Sequence, residues 1–169
     1  MDFLKLVQSR YSVRAYKPDE VAPDKLERIL EAVRLAPSAK NQQAFRFIVI
    51  YTQGREQELA RIFHQSWLMQ APIIVAACGV PNDNWRRSDG KNYNDVDVTI
   101  AMDHLILAAT AEGLGTCWIG AFKNDAAKEV LKLPDGVEPI AFTPLGYAND
   151  QSRPKLRKKL SQLISYEYW

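Results

Sequence analysis

The run from Asp95 to Glu112 constrains the fold most, because it is helical in pattern yet apolar around most of its circumference. Val96, Val98, Ile100, Ala101, Leu105, Ile106, Leu107, Ala108 and Ala109 cannot all share one stripe. A helix apolar all round is stable only when buried on all sides. The 169 residues suffice for one domain with a real core. In so small a domain, such a helix points to a central element that also faces a partner subunit. A core helix of a monomer is the other reading. Gly113-Leu114-Gly115 ends the run.

The elements around it follow from local signals. Phe3 to Val7 is a short helix with Asp2 as its cap, and Arg10 to Tyr16 is a polar, irregular segment. A second helix starts near Pro23, carries the stripe Leu26, Ile29, Leu30 and Val33, and is closed off by Pro37. Phe45 to Tyr51 is a strand, Gly54 to His64 a helix, and Ile73 to Val80 a strand. Thr116 to Gly120 is a short strand, Asp125 caps a helix from Ala126 to Leu131, and Ile140 to Tyr147 is the last strand. Counted from Pro23, helix and strand alternate four times, an order that ordinarily predicts a parallel sheet. Pro81 to Asn94 is a polar excursion placed to act as a lid. No repeat, low-complexity stretch or domain boundary interrupts residues 1–169.

Composition narrows the function. With 47% hydrophobic and 25% charged residues and a net charge of +2, the chain reads as a soluble globular protein, not as a dedicated nucleic-acid binder. No stretch of about 18 apolar residues suggests a membrane span. Met1-Asp2-Phe3-Leu4-Lys5 lacks the layout of a signal peptide, so a cytoplasmic protein is expected. Cys78 and Cys117 lie in apolar runs and read as reduced core residues. His64 and His104 have no ligand spacing, so no metal is expected.

No nucleophile elbow or phosphate-cradling glycine loop is present, so difficult chemistry would come from a bound cofactor. Three polar clusters remain. In Arg10-Tyr11-Ser12-Val13-Arg14 an extended backbone puts Arg10, Ser12 and Arg14 on one side, an edge suited to a phosphate or an electron-rich ring. A solvated basic edge fits as well. The second is the loop Pro37-Ser38-Ala39-Lys40-Asn41-Gln42-Gln43, and the third is Lys155-Leu156-Arg157-Lys158-Lys159. A plain polar loop and a solvated charged tail are their ordinary readings.

Taken together, these clusters resemble the FMN-binding segments of the nitroreductase family. So does Gly113-Leu114-Gly115-Thr116-Cys117-Trp118-Ile119-Gly120, and the four motifs stand in register over nearly the whole chain. The resemblance implies an α+β fold, a three-layer α/β/α sandwich with a mostly antiparallel central sheet built from two helix–strand–helix–strand halves. That replaces the parallel sheet. It also implies a homodimer with FMN at the subunit interface, NADH or NADPH as co-substrate, and a small-molecule acceptor such as a nitroaromatic or a quinone. Neither nucleic acid nor membrane is implied as a partner.

The implied contacts follow the motifs. Arg10 and Ser12, beside Tyr11, hold the FMN phosphate, and Lys155 and Arg157 close on it from the other end of the chain. Arg14 lies by the N1 and C2-carbonyl edge, where a fixed guanidinium stabilises negative charge on the reduced ring. Pro37, Ser38, Ala39 and Asn41, with Gln43, come from the other subunit and line the ring. Ile119, Gly120 and Ala121 place a backbone N–H near N5. No side chain is required as an essential acid or base. Ala44-Phe45 follow Gln43 where many relatives have Pro-Trp, which touches the shape of the substrate pocket. Other reactions of the family (substrate oxidation, reductive dehalogenation) and a non-catalytic FMN-binding dimer are the alternatives. The tail 150–169, ending in Tyr166-Glu167-Tyr168-Trp169, either reaches the partner subunit or is a loose end.

Overall fold

The computed structural model describes residues 2–80 and 84–169. Its sheet is organised on β2 (Ile73–Gly79), a strand in which every residue is buried. Ile73, Val75 and Ala77 enter one core, while Ile74, Ala76 and Cys78 enter a second on the opposite face. Side chains alternate across a strand, so a continuous apolar run means a strand covered on both sides. That is the three-layer arrangement.

β1 (Phe45–Tyr51) and β4 (Glu138–Gly146) flank β2, and the two-residue β3 (Gly115–Thr116) pairs with β4, giving the order β1-β2-β4-β3. All three pairings are antiparallel. The antiparallel expectation therefore holds and the parallel one fails. Alternation of helix and strand says only that connections contain helices, not at which end of the sheet each connection returns the chain.

One face of the sheet is covered by α2 (Pro23–Arg34) and α4 (Asn94–Ala111). The other carries α3 (Glu56–Leu59), a 3-10 turn at Ser66–Gln70 and α5 (Asn124–Val130). There Phe142 is fully buried and meets Phe63 and Phe122 edge to face. α1 (Phe3–Ser9) begins where the Asp2 carboxylate accepts the Leu4 N–H, and it buries none of its own residues.

A single chain does not bury α4 all round: Val98, Ala101, Met102, Leu105, Ile106 and Ala109 are buried, but Val96 is exposed and Ile100 and Leu107 are only half-buried. Three expectations need correction. The helix expected over 54–64 shrinks to α3, because burial of Ile62 and Phe63 pulls the following residues into turns. The 116–120 strand shortens because the Thr143 hydroxyl takes the Cys117 N–H, interrupting the ladder until Ile119 bridges to Phe142. Lys123, not Asp125, precedes α5, although Asp125 in the first turn still complements the helix dipole. Both cysteines are buried and free, as expected. Of the expected lid, Pro81, Asn82 and Asp83 lie outside the described residues. Residues 84–94 contain a small hairpin turning at Gly90, with Trp85 packed edge-on against Tyr93. No described helix is long and apolar enough to cross a membrane.

Candidate functional site

The two ends of the chain meet beside β3. Ser12 bridges to Thr116, the Val13 N–H donates to the Thr116 carbonyl at 2.9 Å, and Val13 is buried against Gly115. A Cβ on Gly115 would fall 2.5 Å from a Val13 methyl, so only glycine lets the 10–14 segment lie this close. Beyond β4 the chain runs antiparallel to residues 15–17, with Lys17 donating to Tyr147 and Asn149 to Ala15. Tyr16 is buried, donates its hydroxyl to the Val13 carbonyl at 3.0 Å, and has its ionisation driven strongly up by burial.

Between these strands of backbone lies a cavity of about 600 Å³. Arg10, Ser12 and Arg14 line it from one end of the chain, and Lys155 and Arg157 from the other. No described residue forms an ion pair with Arg10, Arg14, Lys155 or Arg157. Desolvation, then the nearby Arg10 and Arg157 charges, lower the pKa of Lys155. Its ammonium donates to the Val7 and Gln8 carbonyls at 2.9 and 2.5 Å. Cations crowded together with no acid paired to them favour a multiply charged anion, to which guanidinium groups donate in pairs.

Among the described residues Asp150 is the one acid lining this cavity, and the sequence analysis missed it. Its carboxylate accepts the Arg14 N–H at 2.8 Å and the Tyr11 hydroxyl at 3.2 Å. Burial first, and then Asp150, raise the pKa of Tyr11. Tyr11 thus braces the two chain segments. A lone Asp after a strand, with no patterned partner, gave no signal in the sequence.

The ring-lining candidates stand elsewhere: Pro37, Ser38, Ala39, Asn41 and Gln43, with Ile119, Gly120 and Ala121, do not line the cavity. The 37–43 loop is nonetheless shaped. The Asp97 carboxylate accepts the Ala39 N–H at 3.0 Å, the Ser38 hydroxyl accepts the Gln43 N–H at 2.9 Å, and the Gln43 amide donates to Asn41. These bonds hold Lys40, Asn41 and Gln43 in the left-handed region, at φ 51°, 56° and 51°. Such strain persists only where surroundings over-determine it. Asp97 is buried and its second oxygen, Oδ2, has no hydrogen-bond partner among the described residues. It too escaped the sequence analysis, though an acid inside so apolar a helix was a usable signal.

Ile119 spends both backbone groups on Phe142, at 2.8 and 3.0 Å. Gly120 and Ala121 are exposed, and a Cβ on Gly120 would meet nothing within 4 Å. Their backbone is therefore open to solvent, a few residues beyond Thr116, which bridges to Ser12.

An antiparallel α/β/α sandwich whose two chain ends build a cationic cavity is a scaffold for a phosphate-bearing ligand. The chain belongs to the nitroreductase family, whose model matches residues 7–69 and 62–147. It is 29% identical to an FMN reductase [NAD(P)H] of Bacillus subtilis, over 92% of this chain and 70% of that protein. Among solved structures it is similar to a nitroreductase family protein of Clostridium difficile 630, at 35% identity, 100% of both chains and a TM-score of 0.92. Another from Clostridium novyi NT is 34% identical over 89% of this chain and 87% of that one, with a TM-score of 0.81.

Proposed function

We propose that the protein is an FMN-dependent NAD(P)H oxidoreductase that works in the cytoplasm as a homodimer, with the flavin between subunits. The observation that carries this is the cavity where Arg10, Arg14, Lys155 and Arg157 converge with no ion-paired acid among the described residues. The family assignment and the FMN reductase among its relatives name the cofactor that suits it. When bound, the flavin supplies the two-electron chemistry, taking electrons from NADH or NADPH and passing them to a nitroaromatic, a quinone or a similar acceptor in a two-step exchange.

The chain's own residues bind and orient. Arg10, Ser12, Lys155 and Arg157 hold the phosphate, and Tyr11 and Asp150 keep the two segments in register around it. Arg14 would lie by the N1 and C2-carbonyl edge of the ring, where its permanent charge would stabilise added electron density. Gly120 and Ala121, with Ile119 anchoring them to β4, present open backbone to the ring. Pro37, Ser38, Ala39, Asn41 and Gln43 are contributed by the second subunit, which is why one chain leaves them outside the cavity.

The test is the visible absorption spectrum after incubation with FMN and gel filtration. We expect a retained flavin band at about one per chain, bleached by NADH or NADPH and restored by an acceptor. No retained flavin refutes the reading; flavin retained but never bleached makes the protein a carrier.

A further inference from the structure

Asp150 shares the cationic cavity with Arg10, Arg14, Lys155 and Arg157, yet every bond it makes could be made without a charge. One carboxylate oxygen accepts the Arg14 N–H at 2.8 Å, and the other lies 3.2 Å from the Tyr11 hydroxyl. That hydroxyl also reaches the Asp150 main-chain carbonyl, at 3.0 Å, and can donate its proton there. An asparagine in this place would accept the same Arg14 N–H and donate its amide to the Tyr11 oxygen. Holding the two chain segments in register therefore asks for a side chain of this shape, and not for a negative charge.

The charge is costly where it stands. An acid among cations gathered for a phosphate repels that phosphate, and it opposes negative charge gained by a ring bound beside it. No described cation forms an ion pair with it. Its bond to Arg14 is to the backbone, while the guanidinium turns to the Ser12 carbonyl at 3.3 Å. Its field also reaches beyond its own contacts. After burial, which is the largest cause, Asp150 is among the charges that raise the pKa of Tyr11, Tyr16 and Cys117.

A costly charge that geometry does not require has an electrostatic task. We propose that Asp150 sets the reduction potential of the flavin, its negative charge offsetting part of the field that Arg10, Arg14, Lys155 and Arg157 bring to the ring. Four cations alone would hold the reduced ring too well for it to pass electrons on. Asp150 does not touch the ring in this scheme; it is a positioning residue for Arg14 whose charge acts at a distance. The proposal rests on the flavin reading and adds which side chain limits the stability of the reduced state.

The test loads wild type, Asp150→Asn and Asp150→Ala with FMN and titrates each with reductant against a dye of known potential. A unit charge across a partly dry site shifts such an equilibrium by roughly tenfold. We expect Asp150→Asn to favour reduced over oxidised flavin about tenfold more than wild type does, a rise in midpoint of about 30 mV for two electrons. Its affinity for oxidised FMN, read by quenching of flavin fluorescence, should be equal or tighter. Asp150→Ala should raise the midpoint as well but bind FMN more weakly, because the Arg14 N–H loses its acceptor. An unchanged or lowered midpoint in Asp150→Asn overturns the proposal, leaves the flavin reading standing and reduces Asp150 to a brace. Weaker FMN binding by Asp150→Asn also overturns it, since removing an acid cannot weaken an anion site through charge. A wild-type chain that retains no flavin overturns both.

Discussion

The sheet body and the two polar segments around it solve opposite problems. β2 is covered on both faces by side chains of its own chain, and its alternate residues feed two closed cores. The 10–14 segment and the 37–43 loop are held instead by single carboxylates, Asp150 and Asp97, that accept their backbone N–H groups. Arg10, Arg14, Lys155 and Arg157 are gathered with no ion-paired acid among the described residues, and three loop residues keep left-handed backbone. The body is held by burial, whereas the rim is held by hydrogen bonds to two carboxylates. A structure arranged this way should separate under mutation: body changes unfold the protein, and rim changes empty it.

The largest effect belongs to the body. Phe142→Ala removes a ring that is fully buried and meets two other aromatic rings, and is expected to cost about 3–5 kcal/mol in urea unfolding. A loss below about 1 kcal/mol would mean that this core collapses around the gap, and would break the contrast. Next come Arg10→Ala and Arg157→Ala. Each removes charge-assisted hydrogen bonds worth about 1.5–3 kcal/mol, so FMN affinity should fall roughly tenfold to a hundredfold. The urea midpoint without flavin should stay where it was. If both variants retain flavin normally, the cationic cavity is not the phosphate site.

The same division explains what could be read from residues alone. Ile73 to Val80 is an unbroken apolar run, and the stripe on Leu26, Ile29, Leu30 and Val33 has the helical period, so packing imprinted both directly. Strand direction carried no such imprint, because alternation is blind to where a connection crosses the sheet; the family resemblance supplied it. The helix at 54–64 was lost because local pattern ignores the pull of distant partners on Ile62 and Phe63. At the rim, Arg10, Ser12 and Arg14 were legible because a cationic edge is local. Asp150 was not, since its meaning comes from Tyr11 and Arg14, 139 and 136 residues away. α4 shows the limit in another form: its apolar circumference was plain, but the single chain leaves Val96 exposed and Ile100 and Leu107 half-buried.

Asp97 sits on the border between the regions, buried like the body but serving the rim. Asp97→Ala strands the Ala39 N–H, an expected cost of about 1–3 kcal/mol. Asp97→Asn keeps an acceptor there and should cost less. The effect should show as faster hydrogen exchange over residues 38–43 in the alanine variant, with β2 unchanged. Equal exchange in both variants would mean that Ser38 and Asn41 shape the loop without α4.

The smallest effect is a silence. Cys78 is fully buried in β2, and burial pushes its thiol up to about 11 from the ordinary 9.0. A folded pKa above the unfolded one favours the protonated native state. That contribution is intact below about pH 9 and fades as the pH rises toward 11. At pH 8 the native chain should therefore resist alkylation at Cys78, and urea should expose it. The Cys117 thiol is also raised, by burial first, while Arg14, Ser12 and Arg10 pull it down and Asp150 adds to the rise. It belongs to the core yet stands behind the cationic rim, so it should react before Cys78 as the chain opens. If Cys78 reacts first in the native protein, β2 opens more readily than the rim, and the ranking of body over rim is wrong.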